Sequence, residues 1–518
     1  MSCSIWKWFY VGFCINQMVI FNSKFLLFYC LFGFLSYFSK SQKLFVPVED
    51  NEIISIYTKG EKKDDGSYIS RDSKGNIRIK GKFDKLTPVG KWYLFFDDGK
   101  LMSNYSYNED GKLDGIFVEY FSNGNIKTSG KFEKNIRSGI WKTYYLNGNV
   151  ETEGLLLEGK RYKQWIYYFE GGMIKEVSNY NYEGKLEGEL ISFDQFGTPV
   201  SKSFYKNNKI NGQYLEFYYN GRVALSGHYD MGLKDSLWIE YSGFNKKSFE
   251  KRYKNDLPHS KWIYYYSNSN YIQKEENYNE GIKDGVFKEF YYGDRISRLY
   301  TYDNNLIQGE YQEFLPSGEI SVRGYYSNNL RDSIWETYRE DGSVFSIGKY
   351  KNDLKEGDWI YFHRSGNIFH EGSYKNSFKN GQWVYYYEDG ELDEVGSLIS
   401  GIKHGLWGRF HKNGNLKQEE TYHYGKLNNI SSYFLPDGKE IRNESFIDGE
   451  GIIYDYYEDG VIFSSTKYEK GLINGLFQEY YKNGKLASKG MYNENSKIGT
   501  WYEYGKRGLI RKTTDYDK

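Results

Sequence analysis

Hydrophobic and polar positions along this chain recur on a grid of about 24 residues. Trp141 and Trp165, Trp238 and Trp262, and the series Trp335, Trp359, Trp383 and Trp407 are each 24 apart, and Trp92 and Trp501 fall close to the same grid. Phe117, Tyr214, Phe287, Tyr311, Ile453 and Phe477 occupy the remaining places. Self-similarity at such a period is the signature of a repeat array. With the tryptophan as position zero, a glycine stands two before it (Gly139, Gly381, Gly405) and aromatic residues stand three or four after it, as in Trp383-Val-Tyr-Tyr-Tyr387. A turn follows with glycine at plus seven: Asn123-Gly124, Asp341-Gly342, Asp389-Gly390, Asn413-Gly414. Asn-Gly and Asp-Gly between apolar runs predict a hairpin with a type I′ turn. The returning strand carries an aliphatic residue at plus nine (Val150, Ile368), glycine at plus thirteen (Gly154, Gly372, Gly396) and an aromatic at plus fifteen (Tyr350, Tyr374). These share parity and so face one side of the strand. A glycine among large residues leaves room for a ring, and the tryptophan is expected to cover it across the ladder.

A second, Asn/Asp/Lys-rich turn leads into the next unit, so each unit reads as one β-hairpin. Nineteen units run from that around Tyr68 to that around Trp501, with Leu190 and Ser431 as degenerate members. The turns Asp194–Pro199, Phe244–Ser248 and Ser267–Asn270 depart from the pattern and predict frayed or bulged strands. A lone hairpin is marginal in water, whereas stacked neighbours bury each other's aromatic face. The predicted fold is all-β: an elongated array of antiparallel hairpins, either an open single-layer sheet or a β-solenoid, on the order of 180 Å long at about 4.8 Å per strand. The expected organisation is a hydrophobic leader over 1–42, a linker over 43–60, the array over 61–512 and a tail over 513–518.

Lys+Arg and Asp+Glu are equal at 69 each, which argues against a nucleic-acid partner, since duplex binding needs a basic surface. All three cysteines, Cys3, Cys14 and Cys30, lie in the leader; the array therefore has no disulfide framework, cysteine zinc site or cysteine nucleophile. The leader has no acidic residue, and its segment 25–38 is apolar before breaking into Ser39-Lys-Ser-Gln42. Read from Met18, which we take as the true start, Lys24 makes a short n-region and the whole has a bacterial signal-peptide layout. An uncleaved membrane anchor is the competing reading, and it is the one route by which a membrane enters the picture.

Histidines are few. Five of the seven, His363, His370, His404, His411 and His423, cluster in the C-terminal half. His363 and His411 share a repeat position two units apart, roughly 19 Å at normal strand spacing and too far to share a metal. His370 and His404 are the pair that turns could bring together, but solvated surface histidines are the simpler expectation, so no metal or other cofactor is expected. Turn carboxylates such as Glu388 and Glu391 read as solvating charges, and no phosphate loop, nucleophile elbow or zinc-protease helix is present. The aromatic ladder is mostly core, but the side chains around Tyr264–Tyr266 and Tyr385–Tyr387 are expected on an outer face. Exposed tyrosines suit glycan stacking or a protein partner, so Tyr264, Tyr266, Tyr385 and Tyr387 form the candidate binding face.

The pattern Gly-x-Trp-x-x-Tyr-Tyr-x-Asn-Gly, then aliphatic, Gly and Tyr, best formed at Gly139–Gly154, Gly381–Gly396 and Gly475–Gly490, resembles the MORN-repeat variant family, which also carries the label of YwqK-type toxin–antitoxin system antitoxins. The resemblance covers about residues 60–510. It implies a repeat scaffold with no catalytic residues, and the family label implies neutralisation of a toxin partner by direct binding. The residues and the leader together predict an exported, non-enzymatic scaffold, secreted, periplasmic or on the outer cell surface, that binds a protein or a surface polysaccharide.

Overall fold

The computed structural model describes residues 42–47, 53–58, 60–442 and 444–517; the leader lies outside them. The chain divides into two units, 1–174 with 180–184, and 175–179 with 185–518. Both are all-β. In the first unit, strands from Glu61–Lys62 to Lys160–Tyr168 pair antiparallel, each with its sequence neighbours. In the second, the same arrangement runs from Gly188–Phe193 to Lys426–Ile430, and the outermost strands do not meet, so the sheet is open. The predicted hairpin array is the observed fold. Two departures from the expected boundaries stand out. From the last residue of the expected leader through the expected linker 43–60, Gln42–Pro47 pairs with Ile53–Thr58. The degenerate unit at Ser431 ends the sheet: a two-stranded hairpin, Tyr433–Phe434 with Glu440–Ile441, intervenes before a seven-stranded sheet begins at Phe446–Ile447.

The first turn differs in type from expectation. At the Asn-Gly turn only the glycine has positive φ (Gly124, 95°), Gly124 N–H donates to the Phe121 carbonyl, and Phe121 N–H donates to the Asn125 carbonyl. That is a type I turn closed by a glycine bulge, not a type I′ turn. The asparagine serves by its side chain: Asn123 Oδ1 accepts the Asn125 N–H at 2.9 Å. Type I′ geometry, with two successive positive φ values, occurs instead at the second turn, as at Asn352–Asp353 (50°, 66°) and Asn376–Ser377 (50°, 67°). Of the strands expected to be frayed or bulged, those beside the three irregular turns carry register shifts at Ser192/Phe193, Glu240/Tyr241 and Tyr264/Tyr265, while the turns themselves are closed: Asp194 N–H donates to the Thr198 carbonyl and Ser242 N–H to that of Lys246, and Tyr266 N–H spans one residue more to Tyr271.

The core is built from one contact repeated along the sheet. Trp383 pairs with Gly396 in its own hairpin and with Gly372 in the preceding one. Its indole covers Gly372, where an added Cβ would come within 2.4 Å of the ring carbon Cδ2. The covered glycine therefore belongs to the preceding repeat, eleven residues back, and the ring joins repeats. The same holds for Gly81–Trp92, Gly130–Trp141, Gly154–Trp165, Gly227–Trp238, Gly324–Trp335, Gly348–Trp359, Gly396–Trp407 and Gly490–Trp501. All nine of these tryptophans are buried. Trp262 has Lys251 at the corresponding place and is only partly buried. Where position zero is not tryptophan, the residue eleven back is not glycine: Ser106 for Phe117, Ser203 for Tyr214, Glu276 for Phe287, Thr466 for Phe477.

The indole is closed in on its other sides. The Tyr374 ring meets it edge-on at 5.2 Å, and Lys379, four residues before the tryptophan, places its ammonium 4.0 Å from the ring centroid. Lys355 on Trp359, Lys403 on Trp407 and Lys497 on Trp501 repeat this at 4.0–4.1 Å. The ammonium groups cap the open face of the ring through cation–π contact, which helps a single layer bury tryptophan. The indole N–H is satisfied as well. A register shift beside Gly372 comes from the bulge at Gly381 (φ 77°), and the Ser373 carbonyl accepts the Trp383 Nε1–H at 3.1 Å. Burying one such ring is worth on the order of 4–6 kcal/mol before entropy.

One lapse of this ladder, at Ser431, ends the sheet. At the Ser431 break, Glu420 stands where the glycine would be and pairs with Arg409 at 3.2 Å; Asp455, from the next sheet, lies 3.6 Å from Arg409 and 3.8 Å from Lys417.

Gly372→Ala should destabilise the contact by about 1–3 kcal/mol through overpacking, and Trp383→Ala by about 3–5 kcal/mol. The double variant should cost clearly less than the sum. Amide exchange of strand Ile368–Lys375 is the measurement, because arrays need not unfold in one step; additive losses would show that the glycine and the indole are not one unit.

Candidate binding surface

The four tyrosines singled out from the sequence do not stand on the outer face. Tyr264 and Tyr385 lie two residues beyond their tryptophans on the same side of the sheet, with ring centroids 6.5 and 6.3 Å from Trp262 and Trp383. Both are half-buried. Tyr385 also accepts a hydrogen bond from Lys379 Nζ at 3.1 Å, and burial pushes its hydroxyl up to about 12. Tyr266 and Tyr387, at plus four, are clasps between repeats. Their hydroxyls donate to the carbonyls of Phe290 (2.6 Å) and Phe410 (2.8 Å) in the following repeats. Tyr145, Tyr218, Tyr291 and Tyr481 do the same.

This clasp explains two of the histidines. His363 and His411 occupy the clasp position, and their Nε2 atoms lie 2.9 and 2.6 Å from the Tyr386 and Phe434 carbonyls. His370 and His404 do not come together. His370 lies among Tyr361, Phe369, Trp383 and Tyr385, while His404 is near His423 and Tyr424. Among the described residues no group of three or more His, Cys, Asp or Glu could hold a metal.

A second surface was not singled out from the sequence. Across the repeats of Trp262, Phe287 and Tyr311 the glycine position is filled by Lys251, Glu276 and Tyr300, so the ladder is absent. Beside that row runs another, whose cross-strand partners are Tyr264–Lys274, Lys274–Glu289, Glu289–Arg298 and Arg298–Glu313. Charge alternates from strand to strand. Arg298 Nη1 lies 3.3 Å from Glu289 and its Nε 3.3 Å from Glu313; Lys274 Nζ lies 2.7 Å from Glu276 and 4.2 Å from the Tyr264 ring centroid. Tyr278 and Tyr300 donate to Glu276 and Glu289, each at 3.0 Å. Burial, followed by the neighbouring glutamates, pushes the hydroxyls of Tyr278 and Tyr300 well above the usual phenol range. An open cleft of about 600 Å³ lies over this row, lined by Tyr266, Lys274, Glu289, Tyr291, Arg298 and Glu313 among others. Tyr266 and Tyr264 thus belong to this surface, at its wall and its end. The signal that could have found it is the exchange of Gly for Lys, Glu and Tyr eleven residues before position zero.

The MORN repeat variant model matches six segments. These are residues 113–134, 137–156, 186–207, 355–376, 403–424 and 473–494. Each of these segments is one hairpin of the array. No curated protein matches the chain. Among solved structures, it is similar to the crystal structure of TcdB2-TccC3-TEV, at 12% identity over 91% of this chain and 27% of that one, with a TM-score of 0.12. A structure of the Photorhabdus luminescens Tc holotoxin pore matches at 11% identity over 92% of this chain and 33% of that one, with a TM-score of 0.12. The chain spans about a third or less of the length of those structures.

Two outcomes follow. Tyr387→Phe, which removes the clasp hydroxyl and leaves the ring, should cost about 1 kcal/mol, read as faster amide exchange at the turns it joins; unchanged exchange would deny the clasp. His370 is half-buried, its Nδ1 has no hydrogen-bond partner, and burial, then Lys379, Lys355 and His363, pulls its imidazole down to about 4. The unfolded chain takes up that proton below about 6.5 while the folded one does not. Stability should therefore fall as pH drops from about 6.5 towards 4, and His370→Phe should flatten that part of the melting-temperature profile.

Proposed function

We propose that this chain is an exported, non-enzymatic scaffold that captures a protein partner or a surface polysaccharide through many equivalent sites along its repeats. The observation that carries this reading is a ridge on the second-turn edge. Five residues before position zero, Ile282, Leu306, Leu330, Leu354, Phe378 and Ile402 are 40, 38, 39, 43, 60 and 46% exposed. They mark six successive repeats with one apolar side chain each. A row of apolar side chains left partly in water at the same place in successive repeats offers a partner the same contact again and again. Equal sites at a fixed interval act by avidity, in which each contact is weak and the sum is strong if the partner also repeats. Charge neutrality directs the reading away from nucleic acid, and the apolar leader with its polar exit supports export.

Cell fractionation combined with the intact mass of the mature chain tests this. A mass beginning near residue 43, in the envelope or the medium, is the expected result. A full-length chain in the cytosol would overturn export and give the toxin-neutralising reading first place.

A further inference from the structure

We infer that the cleft over the repeats of Trp262, Phe287 and Tyr311 binds a stretch of an extended, neutral polysaccharide lying across the strands. This deepens the scaffold reading and rests on it, by assigning one ligand class to one place.

The chemistry of the cleft selects the class. Its floor is the row Lys274, Glu289, Arg298, Glu313, two cations and two carboxylates in alternation. Such a row has almost no net field, so it attracts neither a polyanion nor a polycation, and the nearby Glu276 adds only one further negative charge, itself paired with Lys274. The row is rich in capacity to hydrogen-bond with a neutral ligand. Arg298 commits Nη1 and Nε to its neighbours, leaving three of its five N–H groups. Adjacent hydroxyls of a sugar can donate to a carboxylate and accept from a neighbouring cation at once, which matches an acid and a base on facing strands.

The walls supply the other half of carbohydrate recognition. Sugars present C–H faces that pack on aromatic rings, and Tyr266 and Tyr291 bring rings to the cleft. Their hydroxyls are tied to the carbonyls of Phe290 and Phe314, so the rings are fixed before a ligand arrives and little side-chain freedom remains to be lost. The volume, about 600 Å³, is in the range of small-ligand clefts. A polymer is favoured over a free sugar because the row does not end at the cleft. It continues across the sheet through Tyr264 and Phe249 on one side and Val322 and Thr337 on the other. Two strands advance about 9.6 Å, close to the two-sugar repeat of an extended β-1,4-linked chain. A protein partner fits less well, because the centres of protein interfaces are depleted of charge and here the charged row is the centre.

The test is affinity electrophoresis of the full chain in native gels containing glucomannan, mixed-linkage β-glucan or soluble starch, with heparin as the anionic comparison. At least one neutral polymer should retard the chain, and heparin should not. Arg298→Gln combined with Glu313→Gln, close in shape and removing one charge of each sign, should weaken retardation about tenfold, as should Lys274→Gln alone. Glu394→Gln, at the returning-strand position of the same row in a distant repeat, should leave it unchanged. Circular dichroism and melting confirm that the variants fold. Retardation by heparin alone, or by no neutral polymer, overturns the inference, as does equal retardation of folded cleft variants. None of these results touches export, so a chain still found outside the cell with no glycan binding would leave the scaffold standing and return the partner to a protein.

Discussion

An indole lying over a glycine of the preceding repeat is the contact on which this sheet depends. A single layer has no second layer to cover its apolar face, and hairpins taken singly are marginal. The glycine removes the one carbon that would keep the ring off the backbone, and the ring covers the backbone that the glycine would leave open. A lysine or arginine cation closes the top in most of these repeats, and a tyrosine or phenylalanine edge closes the side. Because each ring reaches back into the repeat before it, cohesion passes from neighbour to neighbour and not through a common centre.

The edges follow the same logic. Turns expose backbone groups that a compact domain would hide, and here side chains of one repeat meet the backbone of another. At the first-turn edge Tyr, His or Arg clasps reach a carbonyl of the next repeat. Asn147 and Asn149 both donate to the Glu170 carbonyl. At the second-turn edge, Asn135 accepts the Leu113 N–H and Asn329 the Ile307 N–H. The abundance of Tyr and Asn is thus a consequence of satisfying backbone groups along two long edges.

Where the ladder lapses, other things happen. At Ser431 the glycine position holds Glu420 and the sheet stops. Between Lys251 and Tyr311 the sheet continues, because cross-strand pairing is unbroken, but its aromatic face carries charge and a cleft. Stability given up locally by losing covered tryptophans is the condition under which a binding surface can exist on a face that elsewhere is sealed.

The period, the hairpin as the unit, the all-β character of the described residues and the broad role of the tryptophans were legible in the sequence, because position-by-position recurrence reports directly on strand parity and turn placement. The Gly–Trp partnership was legible in kind but not in direction: covering Gly372 from Trp383, and not from within Gly372's own hairpin, depends on the bulge at Gly381 and the resulting slip in register. The first turn was read as type I′ because Asn-Gly serves both a type I′ turn and a type I turn with a glycine bulge, and only the backbone angles separate them. The four tyrosines were expected on the outer face without regard to their own parity or to the register shift. Tyr385 and Tyr264 share the parity of their tryptophans and so lie on the same face, and the register shift after plus two sends Tyr387 and Tyr266 to the turn edge. The cleft could not be read from any one segment, since Lys274, Glu289, Arg298 and Glu313 come from four strands and meet only through pairing. Recurrence along the chain decided the fold; register across it decided the surface.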